Sequence, residues 1–286
     1  LSKPYGDEVP LGGAAIDDVG EAGLANNILT NGNEGNQQFM DWPWFNAWCG
    51  DLDLAGNKKP QSYLRDVVWR RSNIEMAVQP ALRDGQKEKY TGWGWRREEN
   101  HWTWDGQEGQ PMTVRVYSRA PRVSLSLNGR FIGEQEVNRD SYEAIFTVNY
   151  EPGELIAKNL GSRVLAGAKI FKTSGAPKKL GMKADRNLIS ASHNDLAYVS
   201  ISVVDKDGNL CPNAELPLKM EVSGAKAIVV GGNGNPTDME SFRSLTPKTF
   251  HGQALAIVQA QDESGTVTLK LSSEGLEGAQ MDIKME

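Results

Sequence analysis

The sequence predicts a mainly β protein, with two β-sandwich domains and a short helical region before them. Three observations favour this fold class. All eight tryptophans fall between Trp42 and Trp104, so the composition changes along the chain. From about residue 73 the apolar residues recur with a period of two, which is typical of strands. Turn residues separate these short runs at the spacing of an all-β sandwich.

The region before the sandwiches is predicted to contain a long loop and a helix. Residues 1 to about 40 are rich in glycine, asparagine and acidic side chains, which is typical of a loop. The helix is predicted over 60–71, where Pro60 suits the first helical position. An apolar stripe at helical spacing runs through Tyr63, Leu64, Val67 and Val68.

The first sandwich is predicted from runs that alternate polar and apolar residues. Its strands are expected at 113–118, 123–127, 144–148 and 164–171. Asn128-Gly129 follows the second of these runs and is the strongest short hairpin signal, because both turn residues must take positive φ.

A linker is predicted at 174–177, and a second sandwich follows it. Its strands are expected at 196–204, 216–222, 227–230, 254–258, 266–271 and 281–284. One long loop, from 231 to about 249, interrupts them.

Composition excludes several classes of partner. The net charge is -6 and the basic residues are scattered, so no basic stripe suits a phosphate backbone and nucleic acid is not expected. No apolar run approaches the length of a membrane span, so no membrane partner is expected. No signal peptide is visible. The chain starts at Leu1 without an initiator methionine, and we therefore expect an internal boundary with any localisation signal upstream.

The sequence predicts neither a metal nor a cofactor. The three histidines, at positions 101, 193 and 251, have no partner at metal-ligand spacing. Cys49 and Cys211 are expected to be free buried thiols. The acidic stretches at 51–56 and 205–209 superficially suggest calcium loops. The first lacks two required ligands and the second reads as a hairpin turn, so both are predicted to be turns.

The tryptophans are the most informative residues of the first region. Flat aromatic faces suit the apolar faces of sugar rings, and large aromatic side chains also suit packing interfaces. We favour packing for the cluster at 93–104 and leave both interpretations open for Trp42, Trp44 and Trp48. Glycoside hydrolysis also needs two carboxylates. Acidic residues such as Asp17 and Glu21 are present, but the sequence does not pair any two of them.

Several stretches of the sequence resemble parts of one known enzyme family. Asp41-Trp42-Pro43-Trp44, followed by Gly56-Asn57-Lys58-Lys59-Pro60, resembles the end of its catalytic barrel. The segment 18–23 looks like the stretch after the eighth barrel strand. The sandwiches that follow the barrel have similar stretches at 101–104, 114–118, 127–130, 184–187, 204–209 and 233–237. The family that these stretches together resemble is glycoside hydrolase family 2, of the β-galactosidase type.

This resemblance implies a division into three parts. Residues 1–72 would be the C-terminal remnant of a TIM (β/α)8 barrel, 73–175 an immunoglobulin-like β-sandwich, and 176–286 a second one. The resemblance also implies a retaining mechanism with two glutamates upstream, so no catalytic residue is expected here and the chain alone should be inactive. Active sites of such barrels lie at the C-terminal ends of the strands. Substrate contact is therefore expected at Asp17, Glu21, Trp42 and Trp44.

A carbohydrate substrate and an upstream catalytic domain of the same protein are the partners that the resemblance implies. It favours a periplasmic or secreted location without fixing one. Two other classes stay open at this point. One is a non-catalytic carbohydrate-binding or adhesive module, which the tryptophans and the strand rhythm would fit. The other is a purely structural segment.

Overall fold

The computed structural model describes residues 50–82 and 96–286, together with the backbone of 27–30 and 87–90. Within these residues the chain forms two compact units, and the second begins at Ser174. Strands dominate both units, and helix is confined, in the described ranges, to one short segment before the first sandwich. The prediction of a mainly β protein is therefore confirmed.

The described strands of the first unit form three antiparallel sheets. A two-stranded sheet pairs β1, Asn27–Thr30, with β3, Lys87–Tyr90. A three-stranded sheet has the order β2-β4-β7, with bounds Ile74–Gln79, Pro111–Ser118 and Glu143–Asn149. A four-stranded sheet has the order β6-β5-β8-β9, with bounds Arg130–Glu136, Arg122–Leu127, Glu154–Leu160 and Ala168–Lys172.

Alternating side chains of these strands enclose the core of the first unit. Met76, Val114 and Phe146 are buried on the inner face of the three-stranded sheet. Leu125 and Leu155 are buried in the same cluster from the four-stranded sheet. The two sheets therefore share one core, as the layers of a sandwich do.

The predicted hairpin turn between β5 and β6 is confirmed. Asn128 has a φ of 51° and Gly129 a φ of 77°, the left-handed pair that this turn requires. The Asn128 side chain also accepts a hydrogen bond of 2.8 Å from the backbone N–H of Glu154. The turn is thereby tied to the start of β8.

A short helix precedes the first sandwich. The 3-10 turn Pro60–Ser62 continues into α1, Tyr63–Val68, with Pro60 in the first turn as predicted. The helix ends before the predicted residue 71 because Arg70 takes a φ of 62°. The N–H of Arg71 then bonds to the carbonyl of Asp66 at 2.7 Å, a reversal that closes the helix.

The buried face of α1 lies against the three-stranded sheet. Tyr63 and Val67 pack with Ala77 of β2 and Tyr117 of β4 in a small cluster that is separate from the sandwich core. The predicted stripe is confirmed for these two helical residues and for Leu64, which is partly buried against the same cluster. It is wrong for Val68, which is 41% exposed.

The strands of the second unit form two four-stranded sheets. One has the order β10-β12-β15-β14, with bounds Lys179–Ala184, Leu196–Val204, Gln253–Ala260 and Ala227–Gly232. The other has the order β11-β17-β16-β13, with bounds Leu188–Ile189, Ala279–Met285, Gly265–Ser272 and Lys219–Gly224. Buried residues of both sheets, such as Ile201, Val258, Leu269 and Ile283, form one core.

Two predictions about the elements need correction. The strand β8 was not predicted, and only the end of the predicted run 164–171 is a strand, because the chain turns before β9. The predicted loop over the first 40 residues contains a strand, β1, stabilised by pairing with β3. A barrel remnant over 1–72 is not shown. The described part of that region contains β1 and α1, both packed or paired with elements after residue 72, and the barrel assignment stays a prediction.

Candidate functional site

The four predicted substrate-contact residues, Asp17, Glu21, Trp42 and Trp44, lie outside the described residues. Their roles therefore stay predictions. The described residues do reveal what the other candidate carboxylates, aromatic rings and thiols do.

The tryptophans that follow residue 100 belong to the core. Trp102 is fully buried, and its Nε1–H donates a hydrogen bond of 2.9 Å to the carbonyl of Glu151. The backbone N–H of Trp104 donates to the Tyr150 hydroxyl at 3.1 Å. Packing is thus confirmed for these two rings, whereas positions 93 and 95 of the same cluster lie outside the described residues.

A buried charge network lies on the outer face of the three-stranded sheet. Arg115 of β4 donates from Nε to Glu98 Oε1 at 2.5 Å and from Nη1 to Glu143 Oε2 at 3.2 Å. The Tyr117 hydroxyl donates to the other oxygen of Glu98 at 3.0 Å. Glu143 is in turn held by Arg96 at 3.0 Å. Two carboxylates therefore share one buried guanidinium.

Backbone pairing at the edge of the sheet brings Glu98 near Arg115. The segment that carries Glu98 joins the edge of β2, where Glu99 and Val78 exchange backbone hydrogen bonds of 2.9 and 2.8 Å. Ala77 stands opposite Arg115 in the register between β2 and β4. Arg115 therefore lies one strand in from the edge to which the Glu98 segment pairs.

The electrostatics of this network are those of a structural ion cluster. Burial alone would lower the pKa of Arg115, but the adjacent Glu98 carboxylate outweighs it and raises the pKa. Burial and the Glu98 carboxylate together raise the pKa of Tyr117 well above its ordinary value. A catalytic carboxylate pair needs access to substrate. Glu98 and Glu143 are engaged with arginines and mostly buried, and they do not fit that role.

Two acidic turns, 152 positions apart, are built alike. Asp53 Oδ1 accepts the N–H groups of residues 55 and 57, and its Oδ2 accepts the Asn57 amide. Asp205 Oδ1 accepts the N–H groups of residues 207 and 209, and its Oδ2 accepts the Asn209 amide. A glycine with φ of 82° or 87° stands at the fourth position of each. The carboxylates thus bind N–H donors of their own turns, and the prediction of turns is confirmed.

The carboxyl of Asp205 is strongly acidic. Burial alone would raise its pKa, but hydrogen bonds from the Asn209 side chain and from the backbone N–H groups of Gly175, Asn209 and Asp207 outweigh this effect. They lower the pKa to about 2. Such a group stays ionised near neutral pH and cannot serve there as a proton donor.

The contact between α1 and the sheet also carries polar groups. Burial raises the pKa of Tyr63 to about 12, and the nearby Glu75 carboxylate adds to the rise. Lys169 of β9 lies 2.6 Å from Glu75 and 5.5 Å from the centre of the Tyr63 ring. Lys58, which precedes the helical segment, pairs with Asp66 of α1. Of these contacts, the one between Lys169 and the Tyr63 ring joins β9 to the helix beside the apolar cluster.

Histidines and the described cysteine show no shared site. His101 lies against Trp104 with 4.5 Å between ring centres, and His193 pairs with Asp262 at 2.8 Å on the surface. Cys211 is free and buried, as predicted, while Cys49 lies outside the described residues. No group of three or more potential metal ligands occurs among the residues that the structure describes. No helix in the same residues is long and apolar enough to cross a membrane.

Two exposed aromatic side chains of the second unit were missed by the sequence reasoning. Tyr198 on β12 is 41% exposed and Phe242, in the loop after β14, is 53% exposed. The signal for Tyr198 was present, since it alternates with the buried Ala197 and Val199 and must face outward. Phe242 follows no periodic pattern, and its position could not be read from the sequence.

Comparisons with known proteins agree with one another. Residues 180–282 match the family model described as glycoside hydrolase family 2 C-terminal domain 5, and residues 109–163 match a domain of unknown function, DUF4982. The chain is 31% identical over 248 residues to a β-galactosidase of Bacteroides ovatus, BoGH2A. It is 27% identical over 186 residues to a β-glucuronidase of Formosa agariphila.

These alignments cover 86% and 63% of this chain but 26% and 19% of the two relatives, so the chain spans about a quarter of their length or less. Among solved structures, a glycosyl hydrolase family 2 member from Bacteroides cellulosilyticus has a TM-score of 0.80 and 30% identity. That match covers 91% of this chain and 35% of the solved one.

Proposed function

This chain carries the C-terminal region of a glycoside hydrolase family 2 protein, and we propose that it is the non-catalytic end of a retaining glycosidase that cleaves β-linked galactosides or related glycans. The observation that carries the proposal is the extent of the similarity to BoGH2A, which takes in 86% of the chain. In this proposal the two catalytic glutamates belong to an upstream barrel. This view is supported by four described carboxylates that already accept hydrogen bonds from arginines or from their own turns, namely Glu98, Glu143, Asp53 and Asp205.

The domain assignment is part of the same proposal. Residues 1–72 would complete a TIM barrel, and 73–175 and 176–286 would be immunoglobulin-like sandwiches that buttress it. The packing of α1 on the three-stranded sheet supports a buttressing role, because a helix at the end of the proposed barrel would be fixed by residues of the sandwich. Holding a barrel element in place preserves the geometry of groups at the strand ends.

The sugar is proposed to be galactose. The relatives include both a β-galactosidase and a β-glucuronidase, so the experiment has to distinguish galactose from glucuronic acid as the sugar that is released. Hydrolysis of chromogenic β-galactoside and β-glucuronide by the full-length protein distinguishes them. We expect a clear preference in kcat/KM for the galactoside. A preference for the glucuronide would leave the glycosidase class intact and overturn the choice of sugar.

Substrate contact is proposed at Asp17, Glu21, Trp42 and Trp44. A rim tryptophan could stack on a sugar ring, and an acidic side chain could accept hydrogen bonds from its hydroxyls. The test is Trp44→Ala in the full-length enzyme. Loss of substrate affinity or turnover at an unchanged melting temperature supports contact, whereas a lowered melting temperature with intact kinetics at low temperature contradicts it.

A further inference from the structure

The two sheets of the second unit present opposite kinds of surface to the outside. The sheet formed by β13, β16 and β17 with β11 is polar, since its central cross-strand neighbours are charged or hydroxylated. Glu221 stands opposite Lys270, and Thr268 stands opposite Asp282 with a hydrogen bond of 2.7 Å. A polar outer face of this kind is ordinary for a sandwich sheet that faces solvent. The outer face of the other sheet can be compared with it.

The outer face of the other sheet is apolar at its centre. Tyr198, Ile257 and Val230 stand directly opposite one another on β12, β15 and β14 and form one row across three strands. Their neighbours along the strands, Ala197 and Val258, are buried on the inner side, so the row faces outward. Ile228, 47% exposed, continues the apolar surface on β14.

Phe242 extends this surface at a neighbouring row. Gly232 stands opposite Leu255, and a side chain at Gly232 would place its Cβ 2.6 Å from the Phe242 ring. The ring therefore lies over Gly232 on the outer face, where the absent side chain leaves room. The backbone N–H of Gly231 donates to the carbonyl of Phe242 at 2.8 Å and fixes the loop there.

Polar side chains border the apolar centre. Ser200 and Lys183 stand opposite each other on β12 and β10, and Ser200 also stands opposite Leu255. On the other side Gln259 lies opposite Ile228, and its amide donates to the carbonyl of His193 at 2.6 Å. An apolar platform with hydrogen-bonding groups at its border is the combination that recognition of a sugar requires.

The size of the surface argues for a slender ligand. Three strands and three outward rows span about 10 Å by about 14 Å at ordinary strand and residue spacing. A stable protein interface needs about 800 Å² from each partner, several times this footprint. A strip of this size suits an extended oligosaccharide, whose rings can stack on aromatic side chains.

We propose that the surface formed by Tyr198, Ile257, Val230, Leu255 and Phe242, the Tyr198 face, binds a β-linked glycan chain. Tyr198 and Phe242 stack on sugar rings, and the border residues Ser200 and Lys183 are available to the hydroxyls. The choice of a glycan rests on the proposed function, but binding here would be independent of hydrolysis. The Tyr198 face would hold a polymer on the same protein that carries the catalytic site.

The test is calorimetric titration of this chain with β-1,4-galactotetraose, cellotetraose and a tetrasaccharide ending in β-linked glucuronic acid. We expect at least one to bind, and Tyr198→Ala to weaken that binding about tenfold, the effect of losing one aromatic stacking contact. Tyr198→Phe should bind nearly as well as the unmodified chain. Phe131→Ala, which removes an exposed ring of the first unit, is the matched control and should change nothing.

Three results overturn the proposal. The first is no binding of any of the three oligosaccharides by a chain whose melting curve shows it to be folded. The second is equal binding by the chain and by a folded Tyr198→Ala variant. The third is a concentration-dependent dimer in sedimentation that Tyr198→Ala abolishes, since the face would then join two copies. Hydrolysis by the full-length protein is a separate measurement, so failure of either proposal can be told from failure of the other.

Discussion

Glu98 and Arg115 form a salt bridge of 2.5 Å whose two side chains are 5% and 7% exposed. The pair joins the segment after residue 95 to the middle of β4, across the edge strand β2. Because the second carboxylate, Glu143, also binds Arg115, one guanidinium balances two buried acids with help from Arg96. The arrangement ties three parts of the first unit together on the face that also receives α1.

Replacing Arg115 should therefore strongly destabilise the first unit. Arg115→Leu leaves Glu98 and Glu143 buried without their main partner, and we expect the free energy of unfolding to fall by about 3 kcal/mol. All eight tryptophans lie before residue 105, so tryptophan fluorescence during urea unfolding reports on this unit. The control is Arg122→Leu, which breaks the exposed pair with Glu134 and should cost under about 1 kcal/mol. Equal losses in the two variants would contradict the structural role of the network.

The helix contact can be tested with two neighbouring valines. Val67 is fully buried against the sheet and Val68 is 41% exposed. Val67→Ala should lower the free energy of unfolding by about 2 kcal/mol, because it removes buried methyl groups and leaves a cavity. Val68→Ala should change it by less than about 0.5 kcal/mol. If both variants unfold at the same urea concentration as the unmodified chain, α1 does not contribute to the fold as described.

The acid sensitivity of the second unit should depend on Asp205. Its pKa of about 2 lies below the value of about 3.9 in an unfolded chain, so its contribution to stability is full above pH 4 and is lost as the pH falls towards 2. Asp205→Asn should be less stable than the unmodified chain at pH 7. That difference should shrink by about 1 kcal/mol between pH 7 and pH 3.

Urea unfolding followed by far-ultraviolet circular dichroism measures this change. Asp207→Asn alters an exposed carboxylate in the same turn and is the matched control. A stability difference for Asp205→Asn that is the same at both pH values would show that the carboxylate does not titrate as described.

Much of the fold could be predicted because its strands alternate cleanly. β12 was predicted with its observed bounds, since each second residue from Ala197 to Val203 is buried. β8 was missed because Ile156 and Leu160 face outward, and apolar residues on both faces hide the period of two. The left-handed turn at Asn128-Gly129 was predictable because its conformation is dictated by the residues themselves.

The buried network and the Tyr198 face were not predictable in the same way. Glu98, Arg115 and Glu143 are separated by 17 and 28 positions, and only the pairing of strands brings them together. A charged residue in an alternating strand is ordinarily expected to face solvent. Phe242 reaches the outer face through a loop that passes over Gly232. Both features depend on tertiary structure, whereas the two acidic turns depend on neighbouring residues and were predicted.

The central claim is that this chain is the non-catalytic end of a family 2 glycosidase. Its most direct test is hydrolysis of a chromogenic β-galactoside by the isolated chain and by the full-length protein at equal molar concentration. We predict turnover by the full-length protein and none above background by the chain, even after its melting curve has shown it to be folded. Substantial turnover by the isolated chain would contradict the claim, because the catalytic carboxylates would then lie within these 286 residues.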